Sequence, residues 1–367
     1  MVFWPVGRRL PPCTKIAIVT RVKGTGVIQA VIIGAGQMGV SHALALQKAA
    51  GVDVVGLVNR SNRALPAELA GLRQLRTVEE ALALKPDLVV IATYPDSHAE
   101  IAMAAMEAGA HVFVEKPIAT TVEDAKAVTD MATRRNRKLV VGYILRHHPS
   151  WQRFIAEARG LGGPFVFRMN LNQQSSGKEW DIHRALMASA SPIVDCGVHY
   201  VDVMCQITDA APVQVQGMGL RLSEEIAPDM YNYGQLQVRF SDGSVGWYEA
   251  GWGPMMSQTA YFVKDVISPA GSVSIVDAEG ADSADIDGHT KVGALLVHRP
   301  GDDRRIALAG EPDHQALCDA EQGFVLQAIA EDLDLDRHME DALTSLRICL
   351  AADESIRTGQ PVTLGAV

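Results

Sequence analysis

The feature that most constrains the fold of this chain is a glycine-rich turn between a strand-like run and a helical pattern. The turn spans residues 34–39 and follows the apolar run Ile28–Ile33. Glycines at this spacing allow a tight turn, close approach of the backbone to a pyrophosphate, and a helix N-terminus that faces the phosphates. The pattern predicts a dinucleotide site, with a ligand-free glycine turn as the alternative. The expected contacts are Gly34, Gly36, Gln37, Met38 and Gly39.

Residues 28 to about 145 alternate short apolar strands with alanine-rich helices. Helices are predicted over Ser97–Ala108 and Thr121–Arg135. Strand, helix and strand in series predict a parallel sheet with right-handed crossovers, and near-continuous apolar strands fit burial on both faces. The further strands predicted here are Val52–Val58, Asp87–Ala92, His111–Val114 and Lys138–Val141.

The pattern changes after about residue 150, where the strands become longer and mixed in polarity. A turn at Ser241-Asp242-Gly243 joins two of them into a hairpin, which indicates a mostly antiparallel sheet. Helices are predicted over Trp151–Arg159, Val194–Thr208, Gln315–Asp332 and Met339–Thr358. The predicted strands are Pro164–Asn172, Val213–Leu220, Tyr233–Phe240, Ser244–Gly251, Tyr261–Ile267 and Ser272–Val276.

Composition excludes several classes of protein. The 367 residues suffice for two domains, and 48% hydrophobic with 21% charged residues is ordinary for a globular protein. No apolar run approaches the roughly 18 residues of a membrane span. A net charge of −10 argues against a nucleic-acid surface. The five scattered cysteines form no CxxC pair, so we expect no disulfide framework, no zinc site and a cytoplasmic location.

The end of the second predicted strand bears on the choice of cofactor. An acidic residue there would bind a ribose 2′-hydroxyl and repel a 2′-phosphate. The chain has Asn59-Arg60-Ser61 instead, which favours NADP(H). The alternative is that Arg60 is a solvated loop charge and that NAD(H) binds through Asn59.

The end of the third predicted strand is expected to lie along the nicotinamide ribose. It reads Thr93-Tyr94-Pro95, and His98 follows closely. A functional role for His98 competes with simple capping of the next helix.

Glu115-Lys116-Pro117 follows the strand His111–Val114 in the same predicted sheet. A lysine at the end of a parallel strand would face the nicotinamide, where its charge can hold a substrate hydroxyl and favour its deprotonation. Glu115 and Lys116 are therefore also expected beside the cofactor.

A second cluster places Asp195, His199 and Asp202 at helical spacing. If this segment is a continuous helix, the three side chains share one face. A histidine with a carboxylate one turn away is an oriented general base near neutral pH. A structural histidine is the alternative, and a metal site is disfavoured because no second histidine shares the face.

Taken together, these motifs resemble the glucose–fructose oxidoreductase, inositol dehydrogenase and rhizopine-catabolism (Gfo/Idh/MocA) family from about Gln29 to near the C-terminus. The resemblance implies a catalytic set of Lys116, Asp195 and His199. It also implies dimers or tetramers that assemble through the second sheet. The matching segments are GAGQMG at 34–39, ATYPDSH at 92–98, AGAHVFVEKP at 108–117, VGYILRHHP at 141–149, DCGVHYVD at 195–202 and ESIRTGQPV at 354–362.

The expected fold is an α/β chain with a doubly wound parallel Rossmann sheet, followed by an α+β domain with a large, open, mostly antiparallel sheet. We expect a disordered extension over 1–24, a Rossmann domain over 25–148 and a substrate-binding and oligomerisation domain over 149–367. The C-terminal helices are candidates for packing back on the Rossmann domain.

The chain departs from the family where many members have a glycine triplet, since residues 188–194 read ASASPIV. This weakens any inference about the substrate. The polar stretch from Gln173 to Arg184 is either a substrate loop or an exposed connection. The candidate substrate residues are Lys116, Tyr143, Arg146, Trp180, His183, Asp195 and His199, and no metal ligands are predicted.

The function expected from these residues is hydride transfer between nicotinamide and a secondary alcohol or ketone of a sugar, an inositol or a related polyol. His199 would act as base, Lys116 would stabilise the alkoxide, and Asp195 would orient the imidazole or bind the hydroxyl. One alternative is a redox-neutral elimination or glycoside cleavage with tightly bound NAD(H). Another is a non-catalytic protein that senses a cofactor or a sugar.

Overall fold

Two sheets organise the chain in the computed structural model, which describes residues 26–257, 262–276 and 292–365. The first is six-stranded and wholly parallel, with the order β3-β2-β1-β4-β5-β6. Its strands are β1 (Ile28–Ile33), β2 (Val52–Val58), β3 (Gln74–Leu75), β4 (Leu88–Ile91), β5 (His111–Val114) and β6 (Leu139–Val141). Every residue of β4 and β6 is buried, as expected for strands covered by helices on both faces.

Four helices accompany this sheet, and local sequence explains their ends. The side chains of Thr77 and Thr121 accept hydrogen bonds from the first turns of the helices that follow them. The longest of the four ends at Asn136, whose φ is 51°. The helices are α1 (Gln37–Lys48), α2 (Val78–Leu82), α3 (His98–Glu107) and α4 (Val122–Arg135), with short 3₁₀ turns at Ala67–Leu69, Pro95–Ser97 and Ile144–His147.

The second sheet has nine strands. They are β7 (Val166–Gln174), β8 (Pro212–Leu220), β9 (Tyr233–Phe240), β10 (Val245–Gly253), β11 (Lys264–Ser268), β12 (Gly271–Val276), β13 (Ala294–Arg299), β14 (Asp302–Ala307) and β15 (Val362–Thr363). The order is β14-β13-β12-β11-β7-β10-β9-β8-β15, and every neighbouring pair of these strands is antiparallel except β7 with β10. Alternate residues of β9 are buried, so one face of the sheet is covered and the other is open.

Six further helices complete the described chain. They are α5 (Pro149–Arg159), α6 (Gly177–Leu186), α7 (Pro192–Asp195), α8 (Gly197–Ile207), α9 (His314–Ala330) and α10 (Asp336–Thr358). Helix α10 packs on β8 and β9 and also contacts α4 and β6, while α9 packs on α1. Helix α10 therefore touches both sheets, and α9 packs on a helix of the first sheet. No helix within the described ranges is long and apolar enough to cross a membrane.

The predicted fold class is confirmed, and most predicted strands lie within two residues of the observed ones. The helix predicted over Val194–Thr208 is instead two helices that meet at Cys196. The stretch 173–184 is the end of β7 followed by α6, and β13 and β14 had no predicted counterpart. The extension over 1–24 and the start of the strand predicted from Tyr261 lie outside the described residues, and the domain boundaries stay a prediction.

Candidate functional site

The carboxyl ends of β1 and β4 define the edge where the predicted cofactor residues meet. Strand β1 lies between β2 and β4, so chain order reverses at this point of the sheet. In doubly wound sheets the ligand crevice lies beyond the strand ends at such a switch point. The loops after β1, β2, β4 and β5 all leave this edge.

The three turn glycines are required for different physical reasons. A Cβ on Gly34, whose φ is 114°, would lie 2.2 Å from the Ala92 carbonyl oxygen, and a Cβ on Gly39 would lie 2.0 Å from the Gly34 oxygen. A Cβ on Gly36 would meet no described atom within 4 Å. The first and third glycines therefore pack the strand against the helix, whereas the second leaves an open surface. Helix α1 starts there with no side-chain cap, so its first N–H groups are available to an anion.

The loop after β2 is organised by Asn59 and leaves its basic side chains exposed. Asn59 is buried, its amide nitrogen donates to the Arg63 carbonyl and to Gln74, and its amide oxygen accepts from the Arg63 N–H. Arg60 and Ser61 are exposed beside it. The guanidinium of Arg76 donates to the Asn59 carbonyl oxygen at 3.2 Å. Arg76 was missed by sequence reasoning because it follows β3, a two-residue strand without a clear pattern.

His98 joins the loop after β4 to the motif after β5. Its ring is buried; Nδ1 lies 2.7 Å from the Pro117 carbonyl oxygen and Nε2 lies 3.1 Å from the Thr93 carbonyl oxygen. Burial lowers the pKa of His98, although the two carbonyls oppose that effect. Tyr94 is half-exposed and Pro95 is buried in the same loop. His98 therefore ties two loops of the site together and does more than begin α3.

Glu115 points into the protein beneath the same edge. One carboxylate oxygen lies 2.7 Å from Nε2 of the buried His42, and the other accepts the backbone N–H of Lys116. Burial would raise the pKa of Glu115, but the hydrogen bond from His42 outweighs it and lowers that pKa. Glu115 is thus a buried anion that orients the start of the Lys116 segment.

Lys116 meets Asp195 across the two halves of the chain. Its Nζ lies 2.9 Å from Asp195 Oδ2 and donates to the Asp195 carbonyl oxygen at 3.2 Å. Burial would lower the pKa of Lys116, but the Asp195 carboxylate outweighs it and raises that pKa. The lysine is therefore an ammonium donor over the physiological range and cannot serve as a base.

A break between α7 and α8 separates Asp195, the last residue of α7, from His199. The Ser191 side chain caps α7, and the chain turns again at Cys196. Gly197 lies so close to Tyr248 that a Cβ there would be 3.0 Å from the ring. His199 stands in the first turn of α8, edge-on to the ring of Tyr143.

The remaining polar members of the predicted set are held in a separate cluster. Arg146 donates to both oxygens of Asp202, through Nε at 2.8 Å and through NH2, and also to Asp341 at 3.0 Å. The Tyr143 hydroxyl lies 2.9 Å from the Ser345 hydroxyl. Both side chains are thus engaged by partners inside the protein. Asp202 and Asp195 contact different cations, Arg146 and Lys116, and a break at Cys196 separates the helices that carry them.

One wall near Lys116 and Asp195 is built from the stretch 173–184 and the end of β10. The ring of His183 stacks on Trp252 with centroids 4.4 Å apart, and its Nδ1 lies 2.9 Å from the Ser175 hydroxyl. Burial, opposed by Asp195 and aided by Lys116, lowers the pKa of His183 to about 4. Trp252 donates to Gln173, whose side-chain oxygen also accepts from Cys196.

Trp180, also in that stretch, is buried in α6. Trp252 and Cys196 were not predicted as site residues. Only the position of Cys196 inside the segment DCGVHYVD, residues 195–202, offered a signal.

Two family models match the chain, one over each half. A model described as an oxidoreductase family with an NAD-binding Rossmann fold matches residues 28–143, and one described as a GFO/IDH/MocA C-terminal domain matches residues 153–263. Together they cover more than half of the sequence.

Several characterised proteins are similar to this chain. UDP-N-acetylglucosamine 3-dehydrogenase of Acidithiobacillus ferrooxidans is 31% identical over 52% of this chain and 57% of its own length. The scyllo-inositol 2-dehydrogenase (NAD(+)) of Bacillus subtilis is 26% identical over 76% of this chain and 78% of its own length. The chain spans little more than half the length of the first curated relatives, 57% and 55%.

Solved structures show the same fold. GenD2 from gentamicin A biosynthesis, in complex with NAD, has a TM-score of 0.74 and is 23% identical, covering 95% of this chain and 100% of that chain.

Proposed function

Because the chain belongs to the Gfo/Idh/MocA family, we propose that it is an NAD(P)-dependent oxidoreductase. The reaction would transfer a hydride between nicotinamide and a secondary alcohol or ketone of a sugar, an inositol or a related polyol. The observation that carries this proposal is the Lys116–Asp195 pair at 2.9 Å, at the strand edge that also carries the glycine-rich turn. Relatives named as dehydrogenases of a nucleotide sugar and of an inositol support a polyol substrate.

The residues at the strand edge fit a nicotinamide dinucleotide. The open side of Gly36 and the uncapped start of α1 would hold the pyrophosphate. The loop of Thr93–Pro95 would lie along the nicotinamide ribose. When bound, the nicotinamide would supply the hydride chemistry, and the protein's task is to hold the two reactants together.

Lys116 would hold and polarise the reacting oxygen. Its raised pKa keeps it protonated, so it donates to the substrate hydroxyl and stabilises negative charge as that hydroxyl loses its proton. Asp195 already accepts from Lys116 and would orient the hydroxyl or the imidazole. His199 would accept the proton as general base. His183 stays neutral because its pKa is about 4, so it would serve as a hydrogen-bonding wall.

The exposed arginines after β2 and β3 favour NADP(H) over NAD(H). Arg60 is exposed beside the buried Asn59, and Arg76 holds the carbonyl of the same residue. No acidic residue occurs between residues 59 and 63 to bind a 2′-hydroxyl and repel a 2′-phosphate. Asn59 is occupied within its own loop, which weakens the alternative that it selects NAD(H).

Assembly through the open face of the second sheet is part of the proposal. Apolar side chains are exposed at alternate positions of paired strands, so they lie on the same face of the sheet. Contiguous exposed apolar patches of this kind mark protein interfaces. We infer a homodimer or homotetramer, to be measured by light scattering with and without a charged substitution such as Val245→Glu. The exposed residues are Val166, Met218, Leu220, Val245, Ile267 and Leu296. A cytoplasmic location stays a prediction from the sequence.

One screen tests the proposed reaction. The purified protein is incubated with a panel of sugars, inositols and nucleotide sugars, each with NAD⁺ and with NADP⁺, and reduced nicotinamide is read by absorbance. Turnover of a polyol with a preference for NADP⁺ is expected. Cofactor that copurifies at one equivalent, with product formed but no net reduction, would point to the redox-neutral alternative. Binding of cofactor and sugar without product would favour a sensor.

A further inference from the structure

We propose that His42, Cys318 and Glu321 form a buried site for a divalent transition metal of the zinc class, which would clamp α9 to α1 behind the cofactor edge. One donor atom from each of the three lies within 4.8 Å of the other two, and all three residues are buried. The inference concerns a site apart from the Lys116–Asp195 pair and does not depend on the proposed reaction.

The three donors converge because two helices pack face to face. Cys318 and Glu321 are three residues apart on α9, so they share one face, and that helix packs on α1, which carries His42. A hydrogen bond of 2.9 Å from Gln315 to the Ser41 carbonyl oxygen fixes the helices on one side of the cluster. His314 Nε2, one turn before Cys318, lies 3.6 Å from its sulfur and offers a fourth donor.

Glu321 is the observation that points to a missing cation. It is 1% exposed, and neither of its carboxylate oxygens has a hydrogen-bond partner. The side-chain oxygen of the neighbouring Gln322 is also buried without a partner. An uncompensated buried carboxylate is strongly destabilising, so the group must bind a proton, water or a cation.

The hydrogen bonds of His42 leave the correct nitrogen for coordination. Its Nε2 lies 2.7 Å from a Glu115 oxygen, and its Nδ1 lies 3.0 Å from the amide nitrogen of Gln322, which can only donate a hydrogen bond. His42 Nε2 therefore carries the proton, and Nδ1 presents a lone pair. A carboxylate behind a histidine is the arrangement that orients metal-ligating imidazoles. The Gln322 side chain now lies 3.0 Å from Nδ1 and would rotate to admit the ion, which would bring its unpaired oxygen towards the cluster.

The donor types select the class of ion. One imidazole, one thiolate and one carboxylate suit zinc, and their charges sum to those of a neutral complex with a divalent ion. Ligand bonds of roughly 2.0–2.3 Å require donor separations of roughly 3.3–3.8 Å, so the side chains would draw together by about 1 Å on binding. A hard ion such as Mg²⁺ is disfavoured, because it prefers oxygen ligands and keeps several of its waters.

Cobalt provides a direct readout of the site in the full-length protein. The protein is stripped with a chelator and titrated with Co²⁺, and absorption of a cobalt–thiolate charge-transfer band is followed. We expect one equivalent to bind with thiolate absorption, and Zn²⁺ to abolish the band by displacement. Added Zn²⁺ should raise the Tm by on the order of 3–5 °C at a hundredfold excess over its Kd. Absence of a band together with an unchanged Tm would overturn the proposal.

Two variants locate the ion. Cys318→Ser should lose the band, and Glu321→Gln should lose the rise in Tm, whereas the control Asp319→Asn, on the same helix but directed to Lys48, should keep both. A band that persists in Cys318→Ser would assign the thiolate to another cysteine and overturn the site. If Cys318→Ser does not fold, the response of Glu321→Gln to zinc tests the site. Were Glu321 merely protonated and not a ligand, the amide would replace it and zinc would still raise the Tm, which would overturn the proposal.

Discussion

Two aspartates of one short motif, Asp195 and Asp202, each contact a cationic side chain, but they do so in opposite ways. Asp195 receives a single ammonium, and the side chain of Lys116 keeps 20% of its surface exposed. Asp202 is 1% exposed and receives both nitrogens of a guanidinium fork and the amide of Gln206. A second carboxylate, Asp341, accepts from the same arginine.

The two regions differ in how many of their hydrogen-bonding groups already have a partner inside the protein. The Lys116–Asp195 pair has a donor left for a ligand, whereas the Arg146 cluster is structural. The ammonium of Lys116 has three N–H groups, and Asp195 accepts from it through a side-chain and a backbone oxygen. A substrate oxygen can therefore join that pair. Around Arg146 the charges are matched inside the protein, and Asp202 and Asp341 outweigh burial in raising the pKa of the arginine. That cluster holds α8, α10 and the segment before α5 in place.

The largest expected effect comes from breaking the first pair. Lys116→Met keeps the length of the side chain and removes the donor, so turnover should fall by about 10²–10³-fold or more while cofactor affinity changes little. Steady-state kinetics and cofactor titration by fluorescence measure the two quantities. Turnover within a few-fold of the natural protein would remove Lys116 from the reaction, provided that the circular dichroism spectrum is unchanged.

Breaking the second pair should act on stability. Arg146→Met would leave Asp202 and Asp341 buried without their shared cation, which costs about 3–5 kcal/mol of unfolding free energy. Urea denaturation measures this cost, with Arg153→Met, on the exposed side of α5, as a matched control. A loss of unfolding free energy below about 1 kcal/mol would mean that water reaches these carboxylates in spite of their burial. The double variant Arg146→Met with Asp202→Asn should recover part of the loss.

The pH dependence of stability should also depend on the cluster around Arg146. His338 is buried near Arg146, and its Nε2 accepts the Val141 N–H at 2.8 Å. Burial, followed by the charges of Arg146 and His147, holds its pKa well below the usual value. The unfolded chain therefore binds a proton that the folded chain refuses, and stability falls as pH drops below about 6.5.

The slope from this one group is about 1.4 kcal/mol per pH unit. Urea titrations between neutral and mildly acidic pH should show a shallower decline in His338→Gln, since glutamine keeps an acceptor and does not titrate. Equal slopes in the two proteins would assign the acid sensitivity to other groups.

The smallest expected effect belongs to an ion pair on the surface. Lys126 and Asp130 stand one turn apart on α4, both about half exposed and 3.4 Å apart. Lys126→Ala should change the unfolding free energy by only about 0.3 kcal/mol, and added salt should erase that difference. A cost comparable to that of Arg146→Met would break the link between burial and the strength of a charge pair.

Much of the fold was readable from the sequence because strand and helix periods are local. The glycine turn and the strand ends followed from patterns of a few residues, whereas the grouping of Lys116 with Asp195 came only from the family resemblance. What brings Arg146, Asp202 and Asp341 together is packing between distant segments, which no local pattern carries. The break at Cys196 was missed, and the closeness of Gly197 to Tyr248 beside it is again a contact with another strand. The stacking of His183 on Trp252 likewise joins α6 to the end of β10.

The His98 ring bears on how constant the spacing of the site is more than on the stability of the protein. Because one imidazole touches the carbonyls of both Thr93 and Pro117, the loop predicted along the nicotinamide ribose and the backbone just after Lys116 share a single anchor. Thermal displacement of either loop is thereby transmitted to the other, and the two would drift together. The distance between the nicotinamide ribose and Lys116 would then vary less than the position of either group.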